Sequence, residues 1–131
     1  MTNPILYILM RNDLASMNPG KAIAQGSHAA SAFANKLPQC VIGSDCDIWK
    51  SSTSQGFGTV LVLAVTGSEL EQAIKTAQDL GFISEIIYDP TYPIQDGLVT
   101  HYIPLNTCGY IFGDKDRLKL AEIVSGYKLH P

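Results

Sequence analysis

The sequence has no surplus of positive charge. Nine Lys and Arg stand against twelve Asp and Glu, for a formal net charge of −3 and a pI of about 5.4. Domains that coat nucleic acid non-specifically are usually basic. That class is excluded, although one local basic site on an acidic body is not. Long apolar runs are also missing, and none approaches the ~20 residues needed to cross a bilayer. Residues 1–10 are apolar but lack a basic leader and meet Arg11, Asn12 and Asp13 at once, which predicts a strand and not a secretion signal. Cysteine is scarce and oddly numbered. Cys40, Cys46 and Cys108 make a poor disulfide framework, and Cys40 and Cys46 are too far apart for a zinc knuckle. These features predict reduced thiols, a cytoplasmic location and no zinc site, and no motif calls for a cofactor. There is no internal repeat and no low-complexity segment, and Trp49 is the single tryptophan.

The chain has 131 residues, of which 46% are hydrophobic and 16% charged. This fits one ordered domain over 1–131. Ile5 to Met10 is a continuous apolar run, the signature of a strand covered on both faces. Asn18 is a good N-cap and Pro19 suits the first helical position, so a helix is expected from there to about Lys36, before Leu37-Pro38. Pro38 to Gly58 reads as a loop with a short helix near Asp45 to Lys50, anchored by Trp49. Thr59 to Val65 is a second buried strand. Ser68 and Glu71 predict a capping box, followed by a stripe of Leu70, Ala73, Ile74, Ala77 and Leu80 that Gly81 ends. Ile83 to Tyr88 is a third strand, and Pro90 and Pro93 predict a rigid loop after it. Asp96-Gly97 is a turn, Leu98 to Leu105 a fourth strand, and Asp114 the expected cap of a last helix ending by Gly126. The expected fold class is α/β, a single domain with a mixed four-stranded sheet flanked by helices on both faces.

The first helix carries the candidate chemistry. At about 3.6 residues per turn, Ile23, Gly26, Ala30, Phe33 and Leu37 form an apolar stripe. Lys21, Gln25 and His28 form a polar line on the other side. Lys21 lies in the first turn, where the helix dipole prefers an anion, so a bound anionic group would suit it. Spacing alone leaves open whether this line is a ligand face or an ordinary polar face. Ligands gather beyond the carboxyl ends of strands in open α/β sheets, which brings Asp89 toward Lys21 and His28. In that arrangement His28 takes a proton from water, Asp89 orients and charge-stabilises it, and Lys21 stabilises an oxyanion. Asp before Pro is also an ordinary turn opener. Asn18, Gly20, Gln25, Ser27, Thr91 and Gln95 complete the candidate set as substrate-binding residues. Asn18-Pro19-Gly20-Lys21 lacks the Ser or Thr after the lysine that a Walker loop needs.

Asn18-Pro19-Gly20-Lys21 followed by Ala24-Gln25-Gly26-Ser27-His28-Ala29-Ala30 resembles the opening helix of type 2 peptidyl-tRNA hydrolases. Trp49, the strand over 60–65 with its capped helix, and the closing Ser125-Gly126-Tyr127-Lys128-Leu129 match that family in order. The resemblance implies the family's fold and a hydrolase that cleaves the ester between a peptide and the terminal ribose of tRNA without a metal, often as a homodimer. By position, Lys21, Gln25, Ser27 and His28 match the helix motif, and Asp89 matches the aspartate that opens an aspartate-alanine-glycine-x-threonine loop. Two departures stand out. Gly26 replaces the family's cysteine, and Pro93 stands where the threonine belongs, so only a shifted alignment gives Thr91 that role. These departures and the acidic balance raise a second reading, a non-catalytic relative that binds RNA ends, a nucleotide or a protein partner in the same groove.

Overall fold

β1 (Pro4–Arg11) lies inside the sheet because both its faces are apolar. Alternate side chains of a strand point to opposite faces. Ile5, Tyr7 and Leu9 accordingly join one core, and Leu6, Ile8 and Met10 the other. The computed structural model describes residues 2–37 and 41–131. Within them β1 pairs in parallel with β2 (Val60–Val65) and antiparallel with β4 (Val99–Asp114), and β4 pairs antiparallel with β3 (Ile83–Asp96). The order β2-β1-β4-β3 makes the expected mixed four-stranded sheet. α1 (Pro19–Lys36) and α2 (Asp45–Lys50) cover one face, while α3 (Gly67–Asp79) and α4 (Leu118–Val124) cover the other. The expected α/β class with helices on both faces is therefore the observed one.

α1 begins as its sequence dictates, with the Asn18 side chain accepting from the Lys21 N–H at 2.9 Å and Pro19 in the first turn. Its inward face is turned from the one expected. Ile23 is 71% exposed and Ala30 is exposed, whereas Gln25, Ala29 and Phe33 are buried. Gln25 can go inward because its amide finds partners there. Phe33 packs against Trp49, Tyr110 and Phe112, with ring centroids 5.4, 5.5 and 4.8 Å away. Trp49, on α2, donates its indole N–H to the Thr59 carbonyl at 2.9 Å. Gly58 lies directly beneath that ring, where an added Cβ would come within 2.6 Å of the Trp49 ring and 2.7 Å of its carbonyl. Gly58→Ala is therefore expected to lose about 1–3 kcal/mol through overpacking, read as a lower urea midpoint.

Four local expectations need correction. The capping box at α3 is Thr66 with Glu69, not Ser68 with Glu71. Thr66 accepts from the Glu69 N–H, and Glu69 accepts from the Thr66 N–H. The helix starts earlier because strand β2 ends at Val65, so its stripe ends at Ala77 and Leu80 is 40% exposed. β3 runs on through Pro90 and Pro93 to Asp96. It is an edge strand, where a missing N–H leaves no ladder position empty. β4 continues to Asp114, since Thr107 to Gly113 is buried at the middle of the sheet. Asp114 does not cap α4. Its carboxylate accepts from the N–H groups of Asn3 and Asp116, and Arg117 occupies the cap position without a side-chain bond.

Cys46 takes part in a disulfide, so the expectation of three reduced thiols fails there, while Cys108 is free and buried. Cys40 lies outside the described residues. The end of the chain is tied down. His130 donates its N–H to the Val62 carbonyl, and Leu129 bridges to Leu63, which covers the outer edge of β2. Among the described residues no helix is long and apolar enough to cross a membrane.

Candidate active site

Three polar side chains are buried among the described residues, namely Gln25, Asp89 and Thr107. All three join one chain of hydrogen bonds. The Thr107 hydroxyl donates to Gln25 Oε1 at 2.6 Å, and Gln25 Nε2 donates to Asp89 Oδ2 at 2.7 Å. A buried polar group without a partner costs ~1–3 kcal/mol, so each member requires the next. The backbone brings them together in an unusual way. Ile87 pairs with Cys108, but Tyr88 pairs with Asn106, which leaves Thr107 as an extra residue in β4. In a regular strand consecutive side chains point apart. Here the irregularity lets both Thr107 and Cys108 reach Gln25, the latter through its thiol and the Gln25 carbonyl at 3.5 Å. Bulges of this kind re-aim side chains beside functional sites.

Asp89 is held from its other side too. Its Oδ1 accepts from the Thr91 N–H at 2.9 Å and from the Thr91 hydroxyl at 3.3 Å. Burial, the largest influence, pushes the Asp89 carboxyl up. The hydrogen bonds from Gln25 and Thr91, with the charge of His28 nearby, outweigh it and hold the pKa below the ordinary carboxylate value. Asp89 is therefore a fixed negative charge in the cleft that His28 also lines, and the expected orienting contact is not made, since both carboxylate oxygens are taken by Gln25 and Thr91. Cys108 is the opposite case. Burial pushes its thiol up to about 12, against a smaller effect of Thr107, so it is a neutral packing group and no nucleophile.

The Asp89 end of this chain opens into a cleft of about 550 Å³. One wall is His28 and Ala32 of α1, and the other is β3 from Glu85 to Thr91. His28 is exposed there. The structure thus brings Gln25, His28, Asp89 and Thr91 to one place. Lys21, expected with them, does not line the cleft and lies further along β3 at Pro93. Its ammonium donates to the Pro93 carbonyl at 2.7 Å and lies 5.2 Å from the centre of the buried Tyr92 ring. The Tyr92 hydroxyl in turn meets Ser16 Oγ at 3.1 Å. Asn18 and Gly20 are exposed at the helix start, and Ser27 donates back to the Ile23 carbonyl within its own helix. Gln95 bonds to the Gly97 carbonyl and Thr100 at the tip of the β3–β4 hairpin, well along the strand from Asp89. His101 pairs with Asp96 at 3.5 Å on the same hairpin. Nothing local in the sequence marks Thr107. Only the register shift in the long β4 strand turns it toward Gln25.

Residues 5–104 match the family model described as Peptidyl-tRNA hydrolase PTH2. Among curated proteins none matches the chain. Among solved structures, the chain is similar in fold to Atu0240, a protein of unknown function from Agrobacterium tumefaciens strain C58. The TM-score is 0.53, with 12% identity and all of both chains covered. The family match spans the helix with Lys21, Gln25 and His28 as well as the strand with Asp89, and on that ground the chain belongs to the type 2 peptidyl-tRNA hydrolase family.

Proposed function

We propose that this chain hydrolyses the ester that joins a peptide, or an N-acyl amino acid, to the terminal ribose of tRNA. The observation that carries this reading is the buried Thr107–Gln25–Asp89 chain, which ends at Asp89 in an open cleft that His28 also lines. Water attacks the ester carbonyl while the His28 imidazole takes its proton. The Asp89 carboxylate, fixed by Gln25 and Thr91, stabilises the imidazolium that results. The tetrahedral oxyanion collapses, the C–O bond to ribose breaks, and the imidazolium returns the proton to the ribose oxygen. The products are a free tRNA terminus and a peptide carboxylic acid, which gives its proton to solvent and leaves as the carboxylate. Lys21 lies two turns before His28 on α1, about 10 Å along the axis. One of its three N–H groups holds Pro93, which leaves two for a phosphate or the oxyanion. The same reading carries a cytoplasmic location and, with the family, a homodimer.

The test follows release of acetyl-amino acid from N-acetyl-aminoacyl-tRNA by the purified protein. Turnover that falls at least tenfold in Lys21→Ala, with stability nearly unchanged, is the expected result. A folded protein that binds this tRNA without releasing the acyl group would favour the non-catalytic reading, which the Pro90 and Pro93 strand and the net charge of −3 motivate. Binding that ignores salt would count against any phosphate grip, since phosphate contacts weaken steeply as salt rises.

A further inference from the structure

The hydrolase reading leaves open how the cleft holds the peptide part of its substrate. The two outer edges of the sheet differ. The edge of β2 is covered by residues 128–130. The outer edge of β3 has no strand beside it among the described residues. That edge is the wall of the cleft over 85–91, and it runs directly away from Asp89 and His28. Gln78 Nε2 donates to the Ser84 carbonyl at 3.3 Å, which marks that carbonyl as turned away from β4. In an antiparallel pair the outward-turned backbone groups alternate. Ile86 and Tyr88 therefore also turn their N–H and C=O outward, until Pro90, which has no N–H to offer, ends the row. The opposite wall at Ala32 is a small side chain, which leaves room for a main chain.

We infer that the peptide moiety of the substrate docks as an added strand along the outer edge of β3, its ester at Asp89 and His28 and its main chain paired with Ile86 and Tyr88. This rests on the proposed hydrolase function and specifies its substrate recognition. From Asp89 back to Ser84 the edge offers about 16 Å, at ~3.3 Å per residue, enough for four or five residues. Main-chain pairing reads any side chain equally well. A hydrolase whose substrates share the ester but differ in peptide sequence is served by that property.

The probe is N-acetyl-tetraalanine joined by a non-hydrolysable amide to 3′-amino-adenosine. Two further probes carry N-methyl groups at peptide residues 1 and 3, or at 2 and 4. In titrations of ¹⁵N-labelled protein, the Ile86 and Tyr88 amides are expected to shift downfield with the parent probe. One N-methyl series is expected to bind about three- to tenfold more weakly per lost hydrogen bond, and the other as the parent does. Equal binding by all three probes, shifts confined to α3 and α4, or no binding would overturn the inference. Self-association of the free protein through the same amides, undisturbed by the probe, would overturn it too. Turnover of N-acetyl-aminoacyl-tRNA, measured in parallel, separates the two readings. Turnover without the alternating effect removes the docked strand and keeps the hydrolase, whereas the alternating effect without turnover does the reverse.

Discussion

Asp89→Asn is expected to lower turnover by about 10²–10⁴-fold while leaving the protein folded. The carboxylate has two acceptor oxygens, and both are engaged, Oδ2 by Gln25 and Oδ1 by Thr91. An asparagine offers one acceptor. Whichever way it turns, an NH₂ group faces either the Gln25 amide or the Thr91 N–H, donor against donor. The negative charge beside His28 also disappears, so the imidazolium formed during attack loses its counter-charge. The same substitution has a signature in acid. Asp89's pKa is lowered on folding, so its charge contributes stability that is complete above the unfolded carboxylate value, ~3.9. That contribution is lost as pH falls through the lower, folded value. The stability gap between wild type and Asp89→Asn is therefore expected to be constant from pH 7 to about 5 and to close below about 4. Urea melts across that range check it.

Phe33→Ala is expected to cost about 3–5 kcal/mol. Phe33 is 2% exposed and touches three other rings at once, so its loss opens a cavity that α1, α2 and the sheet all line. Edge-on and tilted ring pairs add to what burial alone contributes. Ile23→Ala on the same helix is the control. Ile23 is 71% exposed, and its loss is expected to fall within ~0.5 kcal/mol. If these two changes exchanged magnitudes, the helix would be turned the other way and Gln25 could not reach Asp89.

That helix shows what a sequence can and cannot reveal here. The run of apolar residues in β1, the Asn18-Pro19 start and the positive-φ Gly81 are local facts, and each marks its element directly. Periodicity placed Phe33 and Leu37 inward correctly but put Ile23 with them. A glutamine counts as polar in any periodic reading. Gln25 is buried only because Asp89 and Thr107 arrive from 64 and 82 residues away. The prolines misled for a related reason. Pro90 and Pro93 forbid a central strand but not an edge strand, and which strand lies at the edge is a property of the whole sheet. Lys21, Gln25, His28 and Asp89 could be named from residue type and order. Thr107 could not, since its role depends on a one-residue shift in pairing that no spacing rule marks.

The most direct test of the site is a single-turnover assay on N-acetyl-aminoacyl-tRNA, with enzyme in excess and saturating, for wild type, His28→Ala and Asp89→Asn. If His28 and Asp89 act in the chemical step, both variants stay slow, by at least 10²-fold, however much enzyme is added. Rates that recover to the wild-type value at saturation, or variants as fast as wild type throughout, would contradict the account and leave the pair with a binding role or none.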